Sequence, residues 1–338
     1  MLGKARLQAA GWAKRGLMKK TICINIPCRN EKDNIELLCQ EISSVFKSKL
    51  SEYDYRIQFI DNDSDDGTRN IIRGLCEKNS RICAIFNAKN FGPRSGFYGF
   101  LQTTGDCTIN MAADFQEPVE LIPEMVKEWE NGAVIVCTVK KNSKENKFMF
   151  AVRSFYYKVL QSFSDYQIIE HFSGFGLYDK KFVDFLRQLN DPCPYIRGLV
   201  AEFGYGIKVI HYVQPKRKRG KSKNNFYTLF DAAMRSFTTY TKVGPRIATL
   251  GGFLFSGITF MIAAVYLILK LVYWDRFSGG IAPMIIGVFL IGSIQLFFIG
   301  LLGEYVLSIN ERIKNRPLVI EKERLNMEGK IDDSGKKD

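Results

Sequence analysis

Between Thr21 and Val139 short apolar runs alternate with helical patterns, and this alternation restricts the fold class more than any other feature of the chain. Residues 21–27, 55–61, 81–86, 107–111 and 133–139 have the length and apolar character of buried strands, while 34–46 and 121–129 carry apolar residues at helical spacing. Such alternation predicts an α/β fold, a mainly parallel sheet with helices on both faces. In that architecture the loops after the strand C-termini form the ligand site. The polar residues that follow each run are therefore the candidates for chemistry.

The fourth run breaks off at Ala112 into Ala113, Asp114, Phe115, Gln116, Glu117 and Pro118. Asp114 and Gln116 offer the hard oxygen ligands that a divalent metal carrying a diphosphate requires; a strand ending in a polar turn is the plainer alternative. The first run leads into Pro27, Cys28, Arg29, Asn30 and Glu31, and the second into an acidic loop from Asp61 to Thr68. An acid at a strand end accepts hydrogen bonds from a base N–H or a ribose hydroxyl, and Asp61 and Asp63 are placed to do so. Asp65 and Asp66 serve equally well as helix caps.

The most apolar residues are concentrated after position 246. Residues 247–269 and 281–302 each reach the roughly twenty apolar residues needed to cross a bilayer, and the turn between them carries Tyr273 and Trp274 as interface anchors. The expected organisation is a basic leader at 1–20, a soluble domain at 21–224, an amphipathic helix at 225–243, a two-helix transmembrane hairpin and a tail at 303–338. Phe226, Leu229, Phe230, Ala233 and Phe237 give the amphipathic helix its apolar face. The leader lacks the continuous apolar core of a signal peptide; it reads either as an in-plane helix or as a functionless extension before Met18. Basic residues flank the hairpin on one side (Arg235, Lys242, Arg246, Arg312, Lys314, Arg316), which places the domain and both termini in the cytoplasm. Gln295 is either tolerated within the second span or joins helices across a subunit interface, and a two-helix anchor suits a homo-oligomer.

The net charge of +13 is compatible with nucleic acid, an anionic membrane surface or a phosphorylated substrate. Much of the surplus lies in residues 216–223 and beside the apolar segments, which favours lipid headgroups and phosphates over nucleic acid. Within that run Arg217, Ser222 and Lys223, with Gly220 for flexibility, are suited to gripping phosphate. A basic run before a membrane segment also serves as a topology signal. The eight cysteines form no C-x-x-C pair and the two histidines are far apart, which argues against zinc and disulfides and for small core cysteines in a reducing compartment.

Pro27-x-Arg29-Asn30-Glu31, the acidic loop at 61–68, Asn90-Phe91-Gly92 and Asp114-Phe115-Gln116-Glu117-Pro118 occur in order. Together they resemble the GT-A domain of family 2 glycosyltransferases, in the branch of dolichyl-phosphate mannose synthase and bacterial polyprenyl-phosphate glycosyltransferases. Gly303-Glu304-Tyr305 and Arg316-Pro317 resemble the bacterial membrane-anchored branch, which implies the bacterial inner membrane. The resemblance implies a GT-A, Rossmann-like domain with Pro27, Arg29, Glu31, Asp61 and Asp63 on the nucleoside, and Mg2+ or Mn2+ at Asp114 and Gln116. It puts Lys140, Arg217, Ser222 and Lys223 near the acceptor phosphate and residues 173–179 on the sugar and acceptor side. The chain departs from the family pattern with Ala112 for the first metal-motif Asp, Asn62 for a second loop Asp, Asp63 for Gly and Arg29 for Tyr.

The implied reaction moves a sugar, with inversion, from a nucleotide sugar (UDP-glucose or UDP-N-acetylhexosamine) to undecaprenyl phosphate on the cytoplasmic leaflet, with Asp114, Arg217 and Lys223 carrying the catalysis. A phosphate monoester, with a second pKa of about 6, needs no general base at neutral pH. Two alternatives stand beside it: a processive polysaccharide synthase, which the missing Gln-x-x-Arg-Trp motif disfavours, and a non-catalytic membrane scaffold, for which Ala112 argues.

Overall fold

β1 (Thr21–Cys28), β2 (Asp54–Asp61), β3 (Ile82–Asn87) and β4 (Cys107–Asn110) bury nearly every side chain, as strands covered on both faces must. The computed structural model describes residues 19–141, 169, 171–189, 191–192, 194–215, 243–272, 281–314 and 316–327. The helices α1 (Lys32–Lys49), α2 (Thr68–Lys78) and α3 (Pro93–Leu101) follow the first three strands in turn. β1 pairs in parallel with both β2 and β4, and β2 in parallel with β3. The chain thus winds outward from β1 to β3 and then returns to the other side of β1, so the strand order reverses between β1 and β4. A crevice for ligands opens at such a switch point.

Beyond β4 come α4 (Ile122–Glu130), β5 (Ile135–Lys140), β6 (Phe172–Asp179), α5 (Lys180–Leu189), α6 (Ile196–Phe203) and β7 (Ile207–Tyr212). The sheet has eight strands in the order β7-β5-β6-β4-β1-β2-β3-β8. β6 runs antiparallel to β4 and β5, so its first residues lie beside their C-terminal ends, and β7 runs parallel to β5. One face of the sheet packs on α1, α2 and α4 through Leu38, Ile42, Ile72 and Met125, the other on α3, α5 and α6 through Phe100, Phe182 and Val200. α3 lies directly on the strands: a Cβ on Gly99 would stand 2.6 Å from Asn25 Oδ1, and Gln58 Nε2 donates to the Gly99 carbonyl at 2.5 Å. The α/β expectation, mostly parallel, is met. Seven described cysteines are buried and unpaired, and burial pushes Cys23 and Cys39 up to about 12, so they are inert core residues.

β8 (Glu321–Leu325) was not visible in the sequence, where residues after 303 read as a tail. It pairs antiparallel with β3 as an edge strand. Tyr98 Oη donates to Glu321 at 2.6 Å, Arg73 to Glu323 at 2.5 Å and Arg324 to Gln102 at 2.9 Å. Asn326 Nδ2 donates to the carbonyls of Cys76 and Ile82, and Val319 is buried with Ile60, Ile85 and Tyr98. The segment Glu-Lys-Glu-Arg-Leu shows no apolar alternation, and its charges suit an edge that must not recruit another strand.

A second unit holds α7 (Val243–Val272) and α8 (Ile281–Ile313). Among the described residues one window, Leu290–Leu307 in α8, is long and apolar enough to cross a membrane. Among the described residues α7 carries a shorter apolar stretch, Leu250–Ile262. Of the expected two-helix transmembrane hairpin, one candidate span is thus present among the described residues. The two helices touch: a Cβ on Gly251 would lie 3.4 Å from the Phe298 ring. The basic leader through residue 18, the amphipathic segment up to 242 and the end of the chain from 328 lie outside the described residues.

Candidate active site

The first two loops are stitched together. Asn30 N donates to Ser64 Oγ at 2.9 Å, Asn30 and Asp65 exchange hydrogen bonds, and Glu31 N donates to Thr68 Oγ1 at 2.9 Å. Pro27, Arg29, Glu31, Asp61 and Asp63 are thereby gathered at the ends of β1 and β2, next to the switch point. Gly67 is the N-cap of α2, and Asp66, one residue before it, braces the helix start: its Oδ1 accepts from Thr68 N at 3.0 Å and Thr68 Oγ1 at 2.6 Å. Although burial opposes it, these bonds hold the Asp66 carboxyl below the usual carboxylate range.

Asp61 is fully buried. Its Oδ1 accepts from Arg69 Nε at 2.5 Å and from Ser64 N at 3.2 Å, while Oδ2 is buried with no hydrogen-bond partner. Arg69 also donates to the Asn87 carbonyl and lies 3.4 Å from Asp63. Sequence reasoning missed Arg69, although a basic residue in the first turn after an acidic loop is a readable signal.

Asn62, noted in the sequence only as a departure, is the hub of the next loop. Its Nδ2 donates to Asn90 Oδ1 at 2.7 Å and to the Gly92 carbonyl at 3.2 Å, and its Oδ1 accepts from Phe91 N at 2.8 Å. An aspartate could not supply both donors, so the amide holds the Asn90-Phe91-Gly92 loop where a second acid would release it.

Asp114 follows β4, is 7% exposed, and accepts from Gln116 N at 3.2 Å. Phe115 between them has φ 58°, and the two other site loops carry Asn30 at φ 59° and Asp63 at φ 66°. Left-handed backbone at non-glycine residues is strained, and here it falls in all three loops that meet at the crevice. Glu117 fixes the turn from beneath, accepting from Ala112 N at 2.6 Å and from Ser173 Oγ at 3.2 Å. Among the described residues no three of His, Cys, Asp and Glu converge on one point. A cation at Asp114 and Gln116 would draw its other ligands from diphosphate and water, as Mg2+ and Mn2+ do in phosphate sites. Lys140 ends β5 and acts on Glu117. Arg217, Ser222 and Lys223 lie outside the described residues.

Part of Glu117 keeps contact with solvent, yet its carboxylate lies at depth. Burial pushes that carboxyl up from 4.5 to about 7, with Asp114 adding to the shift and the Ala112 amide opposing it. Across this window the unfolded chain releases a proton that the folded chain retains, so stability falls as pH rises from about 4.5 to 7. Glu117→Gln is expected to flatten that fall, gaining about 2 kcal/mol at pH 7.5 relative to pH 4.5 after allowance for residual solvent screening. Thermal unfolding of both proteins in chelator across this pH range measures it; parallel curves would refute the buried carboxylate.

Fold and loops define a doubly wound α/β protein with its ligand crevice at the β1/β4 switch point. Residues 23–186 match the model described as Glycosyl transferase family 2. These residues form a family 2 glycosyltransferase domain, and the chain is a glycosyltransferase. It is 27% identical over 305 residues to the bactoprenol glucosyl transferase of Shigella phage SfX, covering 90% of this chain and 99% of that one. It is 29% identical over 316 residues to the putative glycosyltransferase CsbB of Bacillus subtilis, covering 92% of each. A solved structure of glucosyl-3-phosphoglycerate synthase from Mycobacterium tuberculosis, in complex with Mn2+, uridine diphosphate and phosphoglyceric acid, aligns with a TM-score of 0.43 at 16% identity, over 65% of this chain and 77% of that one.

Proposed function

We propose that this chain transfers a sugar, with inversion, from UDP-glucose or a UDP-N-acetylhexosamine to undecaprenyl phosphate, leaving a lipid-linked monosaccharide on the cytoplasmic leaflet. The observation that carries the reading is that Asp61 ends β2 and Asp114 lies in the turn after β4, strands that stand two spacings apart, about 10 Å, on either side of β1. That separation suits a nucleoside at one end and its diphosphate at the other. Asp61 Oδ2, a buried acceptor with no partner, suits a base that offers an N–H, as uracil does. The similarity to bactoprenol glucosyl transferase along nearly the whole chain supports a polyprenyl phosphate acceptor.

A divalent cation held by Asp114 and Gln116 would neutralise charge on the leaving diphosphate. Asp61, Asp63, Arg29 and Glu31 orient the nucleoside, and Lys140 with Arg217, Ser222 and Lys223 aligns the acceptor phosphate for in-line attack. Chain connectivity supports the hairpin. Residues up to 215 and again from 316 belong to one folded domain, so the segment between them crosses a membrane an even number of times. If α8 crosses, a second crossing must lie in that segment, and residues 247–269 are its apolar candidate. Exposed Phe253, Phe260, Leu296 and Phe297 on the two helices suit lipid contact.

The test incubates purified protein with undecaprenyl phosphate and labelled UDP-glucose, UDP-N-acetylglucosamine or GDP-mannose, with Mg2+, Mn2+ or chelator. Label entering the lipid phase from one UDP-sugar, lost in chelator, is the expected result. Transfer that survives chelation would refute the metal assignment, and no transfer from any donor would refute the acceptor.

A further inference from the structure

The sheet order lays out a direction across the crevice. From β2 through β1 to β4 lie Asp61 and Asp63, the first loop and then Asp114; β6, β5 and β7 follow on the same course. β7 stands three strand spacings past β4, about 14 Å, on the side away from the nucleoside loops.

Tyr212 ends β7 in register with Lys140. It is 5% exposed, and its ring meets Phe175 edge-on at 5.9 Å and 82°. The hydroxyl is buried and makes no hydrogen bond of normal geometry; Ser173, whose own hydroxyl donates to Glu117 at 3.2 Å, is near enough to act on it as a weak hydrogen-bond neighbour. Asp114 and Glu117 both act on it electrostatically. Burial, and after it these carboxylates, push the phenol up, so it stays protonated and can donate. A core position needing only a ring would be as well filled by Phe, and a buried hydroxyl left without a partner is destabilising.

We propose that Tyr212 contacts substrate, its hydroxyl donating a hydrogen bond to the sugar of the bound donor. This rests on the donor reading above, and it goes further in assigning the sugar end of the site to β7. Tyr212→Phe keeps the ring and removes only the donor. The full chain and the variant are titrated with UDP-glucose and with UDP in the presence of Mn2+. The variant is expected to bind UDP-glucose about tenfold more weakly and UDP within about twofold, with an unlowered Tm. Equal affinity of the two proteins for UDP-glucose, or an equal loss for UDP, would overturn the role of Tyr212 alone. A wild-type chain that binds neither ligand would overturn the donor reading and this assignment together.

Discussion

Asp114→Ala is expected to slow transfer to lipid about a thousandfold or more, roughly 4 kcal/mol of transition-state stabilisation, while leaving the fold intact. The size of the effect follows from how little else the turn offers. Ala112 contributes no ligand, Gln116 is neutral, and both Glu117 oxygens are engaged, one with the Ala112 amide and one with Ser173. Removing Asp114 would leave a divalent cation only the Gln116 amide oxygen from this turn. Stability should not follow activity, because the substitution also removes a negative charge that pushes the Glu117 carboxyl up. Single-turnover transfer at saturating donor, measured beside thermal unfolding, separates the two quantities. A variant with the wild-type rate would remove Asp114 from the chemistry.

Val319→Asp is expected to destabilise the sheet domain by about 3 kcal/mol or more, and to weaken nucleotide binding although Val319 lies on no site loop. Val319 is 3% exposed against Ile60, Ile85 and Tyr98, with Phe91 packed on the same cluster. A carboxylate there would be buried without a cation, and it would loosen the neighbouring bond from Ala88 N to the Ile320 carbonyl, 2.9 Å long. The loop that Asn62 holds from the inside would lose its outer support. Lys322→Ala, on an exposed residue of the same strand, should stay within about 0.5 kcal/mol of wild type. Thermal unfolding monitored with and without UDP measures both variants, and wild-type behaviour of Val319→Asp would show that the return strand is dispensable.

Much of the domain was legible in the sequence. The runs at 21–27, 55–61, 107–111 and 133–139 became β1, β2, β4 and β5 with ends moved by a residue or two, and residues 173–179 fall within β6. Pro27, Arg29, Glu31, Asp61, Asp63 and Asp114 stood out because each closes a strand or lies in the loop after one, at the end of the sheet where the switch point falls. Asn62 is in the sequence only a departure from the family pattern; the structure shows it holding a loop with two donors that an acid lacks. Tyr212 carried no signal, since an aromatic at the end of a strand usually belongs to the core.

The sequence by itself determined the α/β class, the positions of the inner strands and the acids at their ends, because apolar periodicity and turn residues act over a few neighbours. Only the tertiary structure decided that Arg69 holds Asp61, that Glu117 pins Ala112 to β6, and that the chain returns after its long helices to complete the sheet. Arg73 meets Glu323 across 250 residues. A charged edge strand gains its stability from partners that far away, and no local pattern of residues records them.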